Sequence, residues 1–217
     1  MSHIKLYKYR ATSGSGLLYI LDAIVNNRIY LSNCDAMNDP EEGSWDNCED
    51  QPTLIKSNYL EAARSLRQIV DSTRFTSFTK ECTNPLLWAH YAGGFSGIVF
   101  EYEFDQSEYD IRPIEYKGKV KLTLDKILDV VNRVRMPQDI GILMRKNMCW
   151  AYEQEYRLFN SNTSDGMYIK NKPTRVIFGV RKSNEDDILL QIVRKYNIKV
   201  GYLMQREDKF YVFNIDD

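Results

Sequence analysis

Alternating apolar and polar residues predict the strands of this chain. The segment HIKLYKY near the N-terminus alternates with a period of two, which is typical of a strand with one buried face. Other alternating or continuous apolar runs, bounded by turn-forming residues, predict further strands. These runs are RIYLS, RFTSFT, SGIVFEYEF, DIRPIEYKG, WAYEQEYRLFNS and TRVIFGV, followed by a closing hairpin of KVGYLMQ and KFYVFNI around REDK.

Apolar residues spaced three and four positions apart predict the helices. A short helix is expected to begin at Pro85, because Asn84 is a good N-cap residue and proline is favoured at the first helical position. Ser183 and Asp186 resemble a capping box at the start of the last helix. The longer helical patterns are LLYILDAIVNN, LIKSNYLEAARSLRQIV, SNEDDILLQIVRKYN and TLDKILDVVNRVRMPQDIGILMRKN, the last of them broken near Pro137.

The order of these elements indicates the fold class. Strands outnumber the long helices and do not alternate with them regularly, which predicts an α+β fold with a mainly antiparallel, split sheet and flanking helices. A chain of 217 residues is long enough for one domain, 1–217. A polar segment of about 20 residues and the helix after it predict a loop–helix insertion over about 36–72.

Composition restricts the function classes only weakly. The chain has 29 basic and 30 acidic residues, so no global field favours nucleic acid or membranes. No apolar run approaches the length of a membrane span, and the N-terminus lacks the apolar core of a signal peptide, which predicts a cytoplasmic protein. Four cysteines without a C-x-x-C pair and two histidines predict no metal site. Cys82 and His90 are the one candidate pair for a cysteine hydrolase.

Two carboxylates near residue 154 raise the question of chemistry. If WAYEQEYRLFNS is a strand, Glu153 and Glu155 point to the same face as Arg157. One interpretation is a solvated strand face on which Arg157 neutralises a neighbouring acid. The other is that one glutamate binds a ribose hydroxyl and stabilises an oxocarbenium-like transition state, while its neighbour orients the attacking nucleophile.

Several motifs resemble known families. Six motifs lie in order over about residues 6–180: YKYR, NDPEE, FTSFT, LLWAHYAGGFSGIVFEYEF, IEYKGKV and KNMCWAYEQEYRLF. Together they resemble a bacterial family called domain of unknown function 2971, a name that implies no activity. In a second resemblance, the order LYKYR, LLYILDAIVNNRIYLS, FTSFT and EQE is similar to the layout of ADP-ribosyltransferases.

The second resemblance implies an ADP-ribosyltransferase-like sheet and NAD as a substrate. It assigns Lys8, Tyr9 or Arg10, at the end of the first strand, to the dinucleotide. Ser77 and Thr79 would occupy the Ser/Thr motif beside the nicotinamide ribose.

The same resemblance implies the catalytic residues. Glu155 would bind the ribose and stabilise the oxocarbenium ion, and Glu153 would help to position the acceptor. Trp88 or Tyr91 would stack on the nicotinamide, and His90 of the same short helix is counted with the cofactor-binding residues. The acceptor would be a protein, RNA or DNA. A toxin or phage-defence role, with an antitoxin or other partner protein, is the biology that the resemblance implies.

Two other functions stay open at the level of sequence. One is a binding module of the same fold that holds a nucleotide or nucleic acid without turnover. The other is a hydrolase such as a nuclease, in which Asp39, Glu41 or Glu42 joins Glu153 and Glu155 around a divalent cation.

Overall fold

A computed structural model of the chain describes residues 3–47, 53–160 and 167–215, and of residues 53–57 it describes the backbone alone. The strands are β1 His3–Arg10, β2 Arg28–Tyr30, β3 Trp45–Asn47, β4 Phe75–Thr79, β5 Ile98–Asp105, β6 Asp110–Pro113, β7 Val120–Leu122, β8 Glu155–Phe159, β9 Tyr168–Lys170, β10 Arg175–Phe178, β11 Lys199–Arg206 and β12 Lys209–Asn214. The α-helices are α1 Ser15–Val25, α2 Thr53–Ser72, α3 Pro85–Tyr91, α4 Leu124–Val131 and α5 Asp186–Lys195. Segments of 3₁₀ helix span Cys34–Ala36, Pro137–Ile140, Ile142–Met144 and Met148–Glu153.

The chain forms two compact units. The first consists of residues 1–31, 76–111 and 152–217, and the second of residues 32–75 and 112–151. The second unit contains the segment 36–72 that the sequence analysis assigns to an insertion. The description of the chain as one domain with that insertion stays a prediction.

An eight-stranded sheet organises the first unit. Its strand order is β12-β11-β10-β5-β1-β4-β8-β6. Strands β1 and β5 pair antiparallel over their whole length, from His3 opposite Asp105 to Arg10 opposite Ile98. Strands β10 and β11, which are joined by α5, pair in parallel. The predicted α+β class with a mainly antiparallel sheet is therefore confirmed.

Helices cover both faces of this sheet in the first unit. On one face, α1 and α5 pack against Leu6, Phe78 and Leu158, which belong to one apolar core. On the other face, Trp88 of α3 packs with Tyr9 in a second core. Side chains alternate along a strand, so residues two positions from Leu6 lie on the α1 face, and residues two positions from Tyr9 lie on the α3 face.

The second unit is built from α2, α4 and a short sheet. Helix α2 packs against α4, and strands β3 and β7 pair in parallel, with Trp45 opposite Val120. The N-D-P-E segment forms a turn, in which Asp39 accepts the backbone N–H of Glu41 at 3.0 Å. Lys119 forms an ion pair with Glu41 at 2.9 Å. This motif therefore has a local structural role.

The predicted strand over residues 150–161 is wrong in its first half. Strand β8 begins at Glu155, and Glu153 ends a 3₁₀ segment. Asn147 starts that segment, because its side chain accepts the N–H of Cys149 at 3.2 Å and its carbonyl accepts the N–H of Trp150 at 3.1 Å. Gln154 then adopts a positive φ of 44°, which interrupts the alternation between the two glutamates. Glu153 and Glu155 are consequently not two positions on one strand face.

The start of α3 agrees with its capping signal, whereas α5 begins at Asp186 with Glu185 as its N-cap residue and without a side-chain cap. Asn84 accepts the N–H of Leu86 at 2.9 Å at the start of α3, as predicted. At the start of α5, Asp186 accepts the backbone N–H of Ser183 at 3.0 Å, and the Ser183 hydroxyl donates to the same carboxylate at 2.6 Å. Among the residues that the structure describes, no helix is both long and apolar enough to cross a membrane.

Candidate functional site

A basic and aromatic pocket lies in the first unit, beside α1 and the end of β1. Its cavity volume is about 10 Å³, which is room for about one water molecule. The polar side chains that line it are Lys8, Arg10, Tyr19, Asp22, Arg28, Tyr30 and Tyr102. Three basic side chains, Lys8, Arg10 and Arg28, face one carboxylate, Asp22, in this lining.

Arg10 gives the pocket a cation that has no carboxylate partner among the described residues. Its guanidinium carbon lies 5.5 Å from the centre of the Tyr19 ring, in a cation–π contact. In the described parts of the chain, no carboxylate lies within ion-pair distance of this guanidinium. Burial lowers the pKa of the Arg10 guanidinium. The neighbouring Tyr102 and Tyr19 act in the opposite direction and raise this pKa. An anion entering the pocket would neutralise this charge.

Lys8 stands on the same strand face as Arg10, because Leu6 of that face lies in the core beneath α1. Its ammonium donates to the hydroxyl of Thr76 at 2.6 Å and to the carbonyl of Ser77 at 2.8 Å. Burial lowers the pKa of Lys8 well below its usual range, the neighbouring Arg10 lowers it further, and the Glu155 carboxylate acts in the opposite direction. Lys8 is therefore electrostatically linked to both Arg10 and Glu155.

Ser77 and Glu155 meet on the opposite face of the sheet. The Ser77 hydroxyl donates to Oε1 of Glu155 at 2.5 Å, and Arg157 Nε donates to the same oxygen at 2.8 Å. Glu155 is 3% exposed and Arg157 is 0% exposed. The interpretation in which Arg157 neutralises a neighbouring acid thus holds for Glu155, but the pair is buried and not solvated. A carboxylate in this setting has a fixed orientation.

Glu153 has a separate partner in α3. The Tyr91 hydroxyl donates to Oε1 of Glu153, and Glu153 is 6% exposed. The His90 ring is exposed, and its centre lies 6.1 Å from that of Tyr91. Glu153, Tyr91 and His90 therefore form a second group. The predicted strand had placed Glu153 on the same face as Glu155, and the structure separates the two.

Three further predicted residues have structural contacts. Trp88 is fully buried and donates from its indole nitrogen to the carbonyl of Cys82 at 2.8 Å. Tyr9 packs edge-on against Trp88 and donates its hydroxyl to the carbonyl of Glu81 at 2.8 Å. Thr79 accepts the N–H of Glu81 at 3.1 Å in the turn after β4. These contacts explain all three residue types by packing and turn formation.

The structure thus divides the predicted site into parts. Lys8 and Arg10 line the pocket on the α1 face, and Tyr9, between them, points into the core on the α3 face. Ser77 and Glu155 contact each other on the α3 face. Sequence reasoning did not identify Tyr19, Arg28 and Tyr30 as pocket residues. The sequence feature that could have identified them is the pair of an arginine and a tyrosine on each side of the apolar positions of α1: Arg10 and Tyr19 before them, Arg28 and Tyr30 after them.

The alternatives with a thiol or a metal find little support in the local contacts. Burial raises the pKa of Cys82 to about 11, so its thiol stays protonated at neutral pH. Among the described residues, the one group with the spacing of metal ligands is Cys34, Asp35 and Asp71 in the second unit. There Asp71 is already paired with Arg67 at 2.9 Å.

Comparisons with known proteins add no identification: no family model, no curated protein and no solved structure matches this chain. The resemblances to domain of unknown function 2971 and to ADP-ribosyltransferases therefore stay predictions.

Proposed function

We propose that the protein is an NAD-dependent ADP-ribosyltransferase that modifies a macromolecular acceptor. The observation that carries the proposal is the 2.5 Å hydrogen bond from Ser77 to Glu155. The resemblance assigns these two residues to one ribose, although 78 positions separate them in the chain. Their contact is what a shared role at a ribose requires.

Arg10 favours an anionic substrate such as NAD. A dinucleotide carries two phosphates, and the Arg10 guanidinium has no carboxylate partner among the described residues. The Glu155 carboxylate influences Lys8, which links the pocket electrostatically to the Ser77–Glu155 pair.

In the proposed reaction, the bond between the ribose and nicotinamide breaks, and nicotinamide leaves with the bonding electrons. Glu155 stabilises the positive charge that develops on the ribose, which is the kind of electrostatic effect that dominates many enzymes. An acceptor nucleophile then forms a bond to the ribose and loses its proton. Glu153, held by Tyr91, is the carboxylate proposed to orient the acceptor.

A second candidate is a nucleotide-binding module without turnover. Glu155 favours it, because both carboxylate oxygens accept from Arg157, at 2.8 Å and 3.4 Å, and only 3% of the residue is exposed. A carboxylate used only to hold Arg157 would have this environment. The two candidates differ in whether nicotinamide is released.

The test is an incubation of the protein with isotopically labelled NAD and mixed cellular protein and RNA, with nicotinamide release and label transfer both measured. Glu155→Gln is expected to lower release by on the order of 100-fold or more. Glu101→Gln is the matched control, because Glu101 is also buried in this sheet and ion-paired, with Arg175 at 3.4 Å and Lys5 at 3.3 Å.

The outcomes separate the candidates. Release that depends on Glu155 and survives Glu101→Gln establishes the transferase, and the labelled fraction names the acceptor class. NAD binding without release supports the binding module. If a folded Glu155→Gln variant releases nicotinamide like the parent, the assignment of Glu155 is wrong.

A further inference from the structure

A two-stranded ribbon in the first unit carries tyrosines and basic residues on one face. Strands β2 and β9 pair antiparallel, with Arg28 opposite Lys170, Ile29 opposite Ile169 and Tyr30 opposite Tyr168. Ile29 and Ile169 contact the apolar core, so the alternating residues point to the other face. We call Arg28, Tyr30, Tyr168 and Lys170 the ribbon face.

The tyrosine rings of the ribbon face continue into the pocket. The centre of the Tyr30 ring lies 5.6 Å from that of Tyr168 and 5.2 Å from that of Tyr19 on α1. Arg28 covers the Tyr168 ring at 4.0 Å, and Arg10 covers the Tyr19 ring at 5.5 Å. These five side chains form a row in which three adjacent tyrosine rings lie between two guanidinium groups, in the order Arg28, Tyr168, Tyr30, Tyr19 and Arg10.

The charges along this row are unequal. Arg28 is held by Asp22, with its Nε 2.8 Å from Oδ2. Lys170 is exposed and stands directly opposite Arg28, and like charges in that position destabilise a strand pair. Arg10 has no carboxylate partner among the described residues. A polyanion lying along the row would offset the repulsion between Arg28 and Lys170.

The row combines two features that bind single-stranded nucleic acid. Basic side chains follow the phosphate backbone, and aromatic rings and guanidinium planes stack with unpaired bases. The chain as a whole has a formal net charge of −1, so this basic character is local. A partly exposed row of rings, with Tyr19 at 38% exposure, fits bases that are splayed out of a strand better than a closed duplex.

We propose that the ribbon face, with Tyr19 and Arg10, binds single-stranded nucleic acid. This binding does not rest on the proposed function, because the row lies on the α1 face of the sheet and Glu155 on the α3 face.

Binding is measured without NAD, by fluorescence anisotropy of labelled oligonucleotides of about 20 nucleotides, which exceeds one stacking site. Single-stranded RNA, single-stranded DNA and the duplex are titrated at several salt concentrations. We expect the single strands to bind more tightly than the duplex. Tyr168→Leu, which keeps apolar bulk but removes the ring, is expected to weaken binding by about tenfold.

Lys170→Glu separates the charge contribution. It changes one exposed residue, so the fold is expected to persist, and it should both weaken binding and reduce the slope of log affinity against log salt by roughly 1–2. The matched controls are Tyr211→Leu and Lys209→Glu on β12, which are also exposed and lie outside the row. Neither control should alter binding.

Several results would overturn the proposal. The first is that the parent protein binds no oligonucleotide. The second is that Tyr168→Leu and Lys170→Glu both bind as tightly as the parent. The third is that the two β12 controls lose as much affinity as the ribbon variants. A preference for RNA over DNA would show that the site contacts the 2′-hydroxyl and refines the ligand.

The proposed function can fail separately. Oligonucleotide binding that needs the ribbon face, without nicotinamide release, retains the site and removes the transferase. Glu155-dependent nicotinamide release without oligonucleotide binding by the parent retains the transferase and overturns the binding site.

Discussion

The hydroxyl of Ser77 donates a 2.5 Å hydrogen bond to Oε1 of Glu155, and the same oxygen accepts from Arg157 at 2.8 Å. The two donors come from neighbouring strands, β4 and β8. Because donors on both strands hold one carboxylate, its position is determined by sheet pairing as well as by its own rotamer. The first group of predictions concerns this network.

Ser77→Ala should lower the free energy of unfolding by about 1.5–3 kcal/mol, since it removes a buried hydrogen bond to a charged group. It should also lower nicotinamide release if Glu155 is catalytic. Urea unfolding measures the first effect. Ser107→Ala is the matched control, because Ser107 donates to Asp105 at 2.7 Å on the exposed surface. We expect that control to cost less than about 0.5 kcal/mol.

Arg157→Met should destabilise the protein by about 3–5 kcal/mol, because it leaves the buried Glu155 carboxylate without its ionic partner. The double variant Arg157→Met with Glu155→Leu should recover most of that loss. A double-mutant cycle of denaturant unfolding measures the coupling.

An exposed ion pair provides the comparison for this cycle. Lys182 lies 3.0 Å from Asp187, and both side chains are mostly exposed. Lys182→Met should change stability by less than about 1 kcal/mol. Equal effects of Arg157→Met and Lys182→Met would contradict the importance of burial.

Gln154→Gly should stabilise the protein by roughly 1 kcal/mol, because Gln154 has a φ of 44° that glycine adopts without steric cost. Gln154→Val should destabilise it by a similar or larger amount. Thermal unfolding of both variants measures the difference. The control is Gln205→Gly, an exposed position near the end of β11, where glycine should destabilise. Stabilisation by both glycines would show that the positive φ is not the cause.

Cys82 should react slowly with iodoacetamide at pH 8, because burial raises the pKa of its thiol to about 11. The thiolate fraction, and with it the rate, should rise by about tenfold per pH unit until the pH approaches that value. Site-resolved mass spectrometry measures this rate, with exposed Cys149 as the reference thiol. Rapid labelling of Cys82 at neutral pH would reopen the cysteine hydrolase interpretation.

Local patterns predicted most of the elements around the site. Helix α3 begins where Asn84 and Pro85 indicated, because capping depends on residues within one turn. Strands β1, β4 and β5 agree with alternating or apolar runs for the same reason. The short strands β3, β7 and β9 were not predicted, since three residues carry too little periodicity.

The sequence by itself determined which residues alternate on each strand, and therefore that Ser77 and Thr79 share one face and Lys8 and Arg10 another. Only the tertiary structure decided that Ser77 contacts Glu155, that Glu153 belongs with Tyr91, and that β2 and β9 bring Tyr30 beside Tyr168. The physical reason is the distance along the chain over which each interaction acts. Alternation and capping act over a few residues, whereas strand pairing and the positive φ of Gln154 depend on what the distant parts of the chain pack against.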